Sequence, residues 1–294
     1  MNKIIRKKGI ADNDFEFLWC EFKALFLRKK ILKELENSRE DDEKKEIYEY
    51  LKKHRLSVFP YEYTSEYDLN NCIAKKDDNG LIYIQTDALK MYMKRSYKSL
   101  FRAKRYYNNI LIEQDYRSPH CYITESFKPE EGDVILDIGG AEGFFPIKHI
   151  DKVKAVYIFE CNDEWIEALN YTYKDYKDKV HIIDKFVSDF SDGHHISLDD
   201  FVKEYGLEHE NLYIKMDAEG SEPAIIRGAK KLLNLNPNIK LNICTYHQAR
   251  HEEIFRKLFK DWRVENSSGY MIYYYDFNLK KPYLRRGVLR ISLQ

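Results

Sequence analysis

The stretch Val134, Ile135, Leu136, Asp137, Ile138, Gly139, Gly140, Ala141, Glu142, Gly143 constrains this chain more than any other. An apolar run stops at an acid, and a glycine-rich turn follows at once. Such a run reads as a buried strand of a parallel sheet. The turn lets the backbone bend tightly and approach a ligand closely, because glycine tolerates dihedrals that other residues avoid. Phe144, Phe145 and Pro146 then open a helix, with proline in the first turn where its missing N–H costs little. Strand, glycine turn and helix form the place where an open α/β sheet binds a nucleotide-like ligand.

Spacing narrows the ligand. Gly139-x-Ala141-x-Gly143 has no register that places three glycines as a dinucleotide fingerprint requires, and no Gly-Lys-Ser/Thr follows to make a P-loop. Beginning from Asp137, the pattern resembles the first motif of S-adenosylmethionine-dependent methyltransferases, whose ligand is cationic and carries no phosphate. The next apolar run, Ala155 to Phe159, ends at Glu160, which lies 23 residues after Asp137. That gap suits a second-strand acid, and a carboxylate accepts from both hydroxyls of a ribose. A third run, Asn211 to Met216, leads to Asp217, Ala218, Glu219, Gly220, Ser221 and Glu222, then to Ile225, Ile226, Ala229, Leu232 and Leu233 at helical spacing. Asp217 and Glu219 read as functional, and Glu222 as a charge complementing a helix N-terminus.

Lys215 through Glu222, followed by Gly228 and Ala229, resembles the signature of FkbM-type methyltransferases. Asp137 to Gly143, Phe159 with Glu160, and Ser197, Leu198, Asp199, Asp200 match the same family, over roughly residues 110–294. Gly140 and Ala141 stand where many members carry other small residues. The resemblance implies a class I Rossmann-like fold: α/β, a seven-stranded mostly parallel sheet with helices on both faces, here with an N-terminal α+β extension. It implies S-adenosyl-L-methionine as cofactor, with O-methylation of sugars or related metabolites as the common reaction. A family name does not determine the acceptor.

Composition excludes several classes. Lysine plus arginine equals aspartate plus glutamate at 49 each, so no global field draws nucleic acid, and no nucleic-acid partner is expected. Lys90, Lys94, Arg95, Lys98, Arg102, Lys104 and Arg105 read as the solvated face of one amphipathic helix. No apolar stretch reaches membrane-spanning length, and the first residues lack a secretory apolar region. Five scattered cysteines without a Cys-x-x-Cys pair fit a reducing cytoplasm and no cysteine zinc site.

Two parts are expected: a helical and α+β cap over 1–121, and a methyltransferase domain over 122–294. Residues 14–56 read as one or two charged helices with Phe15, Leu18, Phe22, Leu25 and Phe26 as an apolar stripe, broken somewhere between Asn37 and Lys45. Asp77, Asp78, Asn79 and Gly80 predict a hairpin turn before Leu81 to Ile84. Later strands are expected at His181–Val187, Lys240–Thr245, Gly269–Tyr275 and Gly287–Leu293.

His247 follows the fifth core strand, overlooking the same crevice as Asp217, and histidine is a common general base. The polar turn Gln114 to His120 either folds over the ligands or is a plain linker. The catalytic candidates are therefore Asp217, His247 and Glu219. Cofactor contacts are expected from Asp137, Gly139, Gly140, Ala141, Glu142, Gly143, Glu160 and Cys161, with Ser188 and Asp189 at the adenine rim. No metal is expected; Mg2+ at Asp217 is conceivable but not favoured. The acceptor is expected to be a small molecule or glycan. A protein or RNA methyltransferase of the same fold and a non-catalytic cofactor-binding module are the alternatives, although a degenerate module would be expected to lose the three acids.

Overall fold

A computed structural model describes residues 14–36, 41–274 and 279–293, with side chains from Lys23 onward. The N-terminal part holds helices α1 (Asp14–Leu35) and α2 (Asp42–Lys53), a meander β1 (Ala74–Lys76), β2 (Ile82–Gln85), β3 (Lys90–Tyr92), and helix α3 (Leu100–Glu113). Asp41 caps α2 by accepting from Lys44 N at 3.2 Å. The expected hairpin forms: β1 pairs antiparallel with β2 across the Asp77–Gly80 turn, where Gly80 takes a φ of +83°.

The second part runs β4 (Val134–Ile138), α4 (Phe144–Ile147), β5 (Ala155–Phe159), α5 (Asp163–Thr172), β6 (Val180–Ile183), β7 (Phe186–Ser188), β8 (His195–Ser197), α6 (Leu198–Tyr205) and β9 (Leu212–Met216). It continues with α7 (Glu222–Arg227), α8 (Lys230–Leu235), β10 (Ile239–Cys244), α9 (His251–Leu258), β11 (Arg263–Asn266) and β12 (Val288–Ser292). Seven strands form one sheet in the order β11-β12-β10-β9-β4-β5-β6. β6, β5, β4, β9 and β10 are parallel, whereas β12 lies antiparallel to both β10 and β11. This is the expected mostly parallel α/β sheet. The chain moves outward from β4 through β6, then returns to place β9 on the other side of β4. That reversal opens a crevice at the carboxyl ends of β4 and β9.

Alternation along the strands separates two cores. Val134, Leu136 and Ile138 of β4 join Phe201, Ile225, Ile226, Leu232 and Phe255 from α6–α9, and Phe259 just after α9. Ile135 faces the other way, with Phe144 and Phe145 of α4 and Trp165 and Leu169 of α5. Ile47, Leu51, Ile84, Met91 and Ile110, all from the N-terminal part, belong to that same cluster. The extension thus completes one face of the sheet.

The Ser197 to Asp200 run has a structural explanation. Ser197 caps α6 by accepting from Asp200 N at 3.1 Å, while Asp199 accepts from Leu232 N at 2.8 Å at the start of α8.

Several expectations need correction. Leu25 and Phe26 are 48% and 52% exposed, and α1 instead buries Ile31 and Leu35 at its C-terminal end. Phe15, Leu18 and Phe22 lie outside the described side chains. The basic series does not lie on one helix: Lys90 is in β3, and only Arg102, Lys104 and Arg105 lie in α3. His181–Val187 divides between β6 and β7, because after Ile183 the chain leaves the large sheet and pairs with β8. Among the described residues, Gly269–Tyr274 makes a single bridge, Met271 with Arg285, and the edge strand is the earlier Arg263–Asn266; Tyr275 lies outside the described residues.

Candidate active site

Strand register builds the site. Ile138 aligns with Phe159 of β5 and Met216 of β9, and Met216 aligns with Ile243 of β10. One residue further on, Gly139, Glu160, Asp217 and Cys244 therefore form a row along the carboxyl edge. Asp217 N donates to Ile138 O at 3.1 Å, and Gly139 N and Gly140 N both approach Phe159 O at 3.1 Å, which holds the row in place.

The turn after β4 is packed too tightly for side chains. Gly139 has a φ of +75°, and a Cβ there would stand 2.1 Å from Asp217 O. Ala141 is also in the left-handed region, at a φ of 44°. This conformation costs a non-glycine residue about 1–2 kcal/mol and is held by surrounding contacts. One of those contacts comes from Glu160, whose Oε2 accepts from Ala141 N at 2.9 Å. Its Oε1 accepts from Cys161 N at 2.9 Å and Asn162 N at 2.8 Å. Glu160 thus ties the β4 turn to the β5 end, and Cys161 takes part through its backbone.

Asp137 is 1% exposed and faces Lys215 Nζ at 2.9 Å, while Lys215 also donates to Gly139 O at 2.8 Å. Burial works against the Lys215 charge, but the Asp137 and Asp217 carboxylates outweigh it and raise its pKa. Glu142 accepts from the Tyr106 hydroxyl of α3 at 2.5 Å, and burial pushes its carboxyl up to about 7. Tyr173 donates to Gly143 O, closing the far side of the turn.

Asp217 lies at the centre of a collar of donors. Tyr122 donates to Oδ2 and Tyr246 to Oδ1, each at 3.0 Å. His120 Nε2 lies 3.5 Å from Oδ2 and His247 Nε2 lies 3.3 Å from Oδ1. Burial favours the neutral acid, yet the hydrogen bond from His120 and the charges of His247, His120 and Lys215 hold Asp217 far below the usual carboxylate range. His247 is 8% exposed; burial opposes its charge, but the contact with Glu222, Nδ1 to Oε1 at 2.9 Å, and the Asp217 charge raise its pKa.

Glu219, at a φ of 54°, is the outermost acid: its side chain is 61% exposed, and Tyr273 donates to it at 3.4 Å. The ring of Tyr273 meets Tyr246 edge-on at 4.9 Å.

The structure thus brings together Asp217, Glu219 and His247, and separately joins Glu160 to the β4 turn. Arg227 of α7 holds the Asp189 carboxylate at 2.8 Å, and Ser188 O packs where a Cβ on Gly228 would come within 2.1 Å. Ser188 ends β7 and Asp189 follows it, outside the large sheet. Glu222 opens α7, at the helix N-terminus expected for its charge. It is fully buried, and its Oε1 accepts from Ala218 N at 3.0 Å and Gly220 N at 3.3 Å. Sequence reasoning missed Tyr122, Tyr246 and His120. The only sequence signal for them is position, since each adjoins or lies within a segment singled out for other reasons.

Two trios, His120 with Asp217 and Cys244, and Asp217 with Glu222 and His247, bring ligand-type atoms within 4.8 Å of one another. In both, imidazole and phenol groups already answer the acid's charge, so the donor set does not demand a cation. Among the described residues, no helix is long and apolar enough to cross a membrane.

Residues 193–270 match the family model described as the methyltransferase FkbM domain. No curated protein matches the chain. Among solved structures, an FkbM methyltransferase from Methylobacillus flagellatus KT aligns at 14% identity and a TM-score of 0.40, covering 66% of this chain and 54% of that one. This chain therefore spans about half the length of that protein. An rRNA methylase from Streptococcus thermophilus aligns at 11% identity and a TM-score of 0.36, covering 56% of this chain and 89% of that one. TrmK of M. capricolum in complex with S-adenosyl-homocysteine aligns at 15% identity and a TM-score of 0.35, covering 55% and 63%. The fold follows from the chain's own strand order. Over residues 193–270 the chain carries a methyltransferase FkbM domain.

Proposed function

We propose that this protein transfers the methyl group of S-adenosylmethionine to a hydroxyl of a sugar or related small acceptor. The observation that carries this reading is the strand register that lines up Gly139, Glu160 and Asp217 along one edge. The donor set suits the cofactor. The turn from Gly139 to Gly143 contains no lysine or arginine to meet a phosphate, and the carboxylates of Glu160 and Asp217 at the same edge suit hydroxyls and a cationic centre. Glu160 would hold the ribose hydroxyls. Gly139, Gly140, Ala141 and Gly143 would hold the amino-acid tail, with Glu142 and Cys161 flanking them. Asp137 acts on the turn through Lys215. Ser188 and Asp189 would line the adenine rim, with Asp189 paired to Arg227.

When bound, S-adenosylmethionine supplies an electrophilic methyl group on a sulfonium. Asp217 orients the acceptor hydroxyl, and Asp217 and His247 are the groups placed to receive its proton. Glu219 and Tyr273, at the open side, meet the rest of the acceptor. Holding the hydroxyl in line supplies most of the acceleration. Balanced charge argues against an RNA acceptor, and the four described cysteines, all unbridged, suit a cytoplasmic setting. The division into a cap over 1–121 and a catalytic part over 122–294 is retained in this reading.

The experiment is to incubate the full chain with methyl-labelled S-adenosylmethionine and a panel of nucleotide sugars, glycans, RNA and peptide. Alkali-stable label on a sugar hydroxyl is the expected result. Label on RNA or peptide alone, or on none of them, overturns the proposed acceptor class.

A further inference from the structure

We infer that Tyr106 of α3 is a positioning residue for the cofactor: its hydroxyl fixes the Glu142 carboxyl beside the glycine turn, where that carboxyl receives the α-ammonium of the cofactor's amino-acid tail. The inference rests on the reading above, in which the turn from Gly139 to Gly143 holds that tail. It gives the N-terminal extension a part in the cofactor site.

Three observations carry it. Tyr106 Oη donates to Glu142 Oε2 at 2.5 Å, which joins α3 of the extension to the turn after β4. The Tyr106 ring is itself held, edge-on to Tyr97 at 5.3 Å and against Trp165 of α5 at 5.8 Å. Asn162 caps α5 by accepting from Trp165 N at 3.2 Å, and Asn162 N donates to Glu160 Oε1 at 2.8 Å. Tyr106 therefore bears on both turns that the cofactor reading uses, those after β4 and β5.

The choice of partner matters. A lysine or arginine against Glu142 would cancel its charge, whereas a neutral phenol orients the carboxyl and leaves that charge for a cationic ligand. Lys215 also favours the charge, but its ammonium is taken by Asp137 at 2.9 Å and by Gly139 O at 2.8 Å.

The groups acting on Glu142 come from several elements. Tyr106 and Glu113 belong to α3 and Lys215 to β9, while Tyr97 precedes α3 and Tyr173 follows α5. Burial pushes the carboxyl up to about 7; the Tyr106 hydrogen bond and Lys215 oppose this, and Glu113 adds to it. An ammonium placed against Glu142 favours the carboxylate, so ligand binding expels the carboxyl proton to solvent while the ammonium keeps its own. The sign follows: binding is strongest above the free pKa and weakens as the pH falls below it.

The test is calorimetric titration of the full chain across pH 5.5–8 with S-adenosylhomocysteine, and with methylthioadenosine, which lacks the tail. Each titration is repeated in buffers of different ionisation enthalpy, which counts the protons released. Wild type should release most of one proton per S-adenosylhomocysteine near pH 6. Its affinity should be about tenfold or more weaker at pH 5.5 than at pH 7.5. Methylthioadenosine should show neither effect, and Glu142→Gln should abolish both. Tyr106→Phe keeps the ring and its packing but loses the hydrogen bond to the carboxylate, so the profile should move up by about one pH unit. A Tyr106 that only packs would leave the profile in place, and that result overturns the inference. Binding of S-adenosylhomocysteine to wild type without proton release overturns it too, and needs no variant to fold. So does equal release with methylthioadenosine or in Glu142→Gln. These outcomes leave the methyltransferase reading intact; failure of wild type to bind S-adenosylhomocysteine at any pH defeats that reading and the inference with it.

Discussion

Lys215 reaches across from β9 to stand 2.9 Å from Asp137 on β4, with both side chains almost wholly buried. The pair lies beneath the glycine turn and fastens Gly139 O to the neighbouring strand. A buried charge that loses its partner is strongly destabilising. Lys215→Met should therefore lower stability by about 3–5 kcal/mol. The double variant with Asp137→Asn should recover part of that loss, because no isolated charge remains. Urea denaturation of the two variants checks this; equal stabilities would show that the pair is not coupled.

Gly139 is a second point of no tolerance. Alanine there would have its Cβ 2.1 Å from Asp217 O, in a backbone conformation that already disfavours a side chain. Gly139→Ala should cost about 2 kcal/mol or more and weaken S-adenosylhomocysteine binding, because β4 and β9 must separate. Thermal melts with and without the ligand provide the measurement.

Legibility in the sequence followed the physics of each feature. The motif strands β4, β5 and β9 were readable because buried parallel strands are continuous apolar runs ended by acids or glycine. The acids at 137, 160 and 217 could be found, but their partners could not. That Asp137 is paired with Lys215, and that Glu222 at the start of α7 is fully buried, depends on contacts between segments far apart in the chain or on a turn's closure. The edge of the sheet was misread because Gly269 to Tyr274 is rich in aromatic residues, which favour strands, while Arg263 to Asn266, half-exposed, lacks an apolar run. His120 and Tyr122 gave no periodic signal, since a turn that folds back on the sheet has no repeat.

The pH dependence of stability should contain two opposing terms. Burial, with Lys152 and Lys148 nearby, holds His149 down to about 4 from an ordinary 6.5. Its folded pKa is below its unfolded one, so stability is fully present above pH 6.5 and lost as the pH falls towards 4. The loss is about 3 kcal/mol at ~1.4 kcal/mol per unit. Burial raises Glu142 from 4.5 to about 7, so its contribution has the opposite sign: stability is lost as the pH rises through that window. His149→Phe should remove the acid-side loss, and Glu142→Gln should gain on wild type at pH 8 but not at pH 4. Denaturation midpoints across pH 4–8 measure both.

The central claim, that the carboxyl edge of this sheet binds S-adenosylmethionine with Glu160 as a principal contact, is tested most directly by calorimetry of the full chain with S-adenosylhomocysteine. One binding site per chain is predicted, and Glu160→Ala should weaken affinity about tenfold or more, because two hydroxyls lose a charged acceptor. Absence of binding, or an affinity unchanged by Glu160→Ala, would contradict the account.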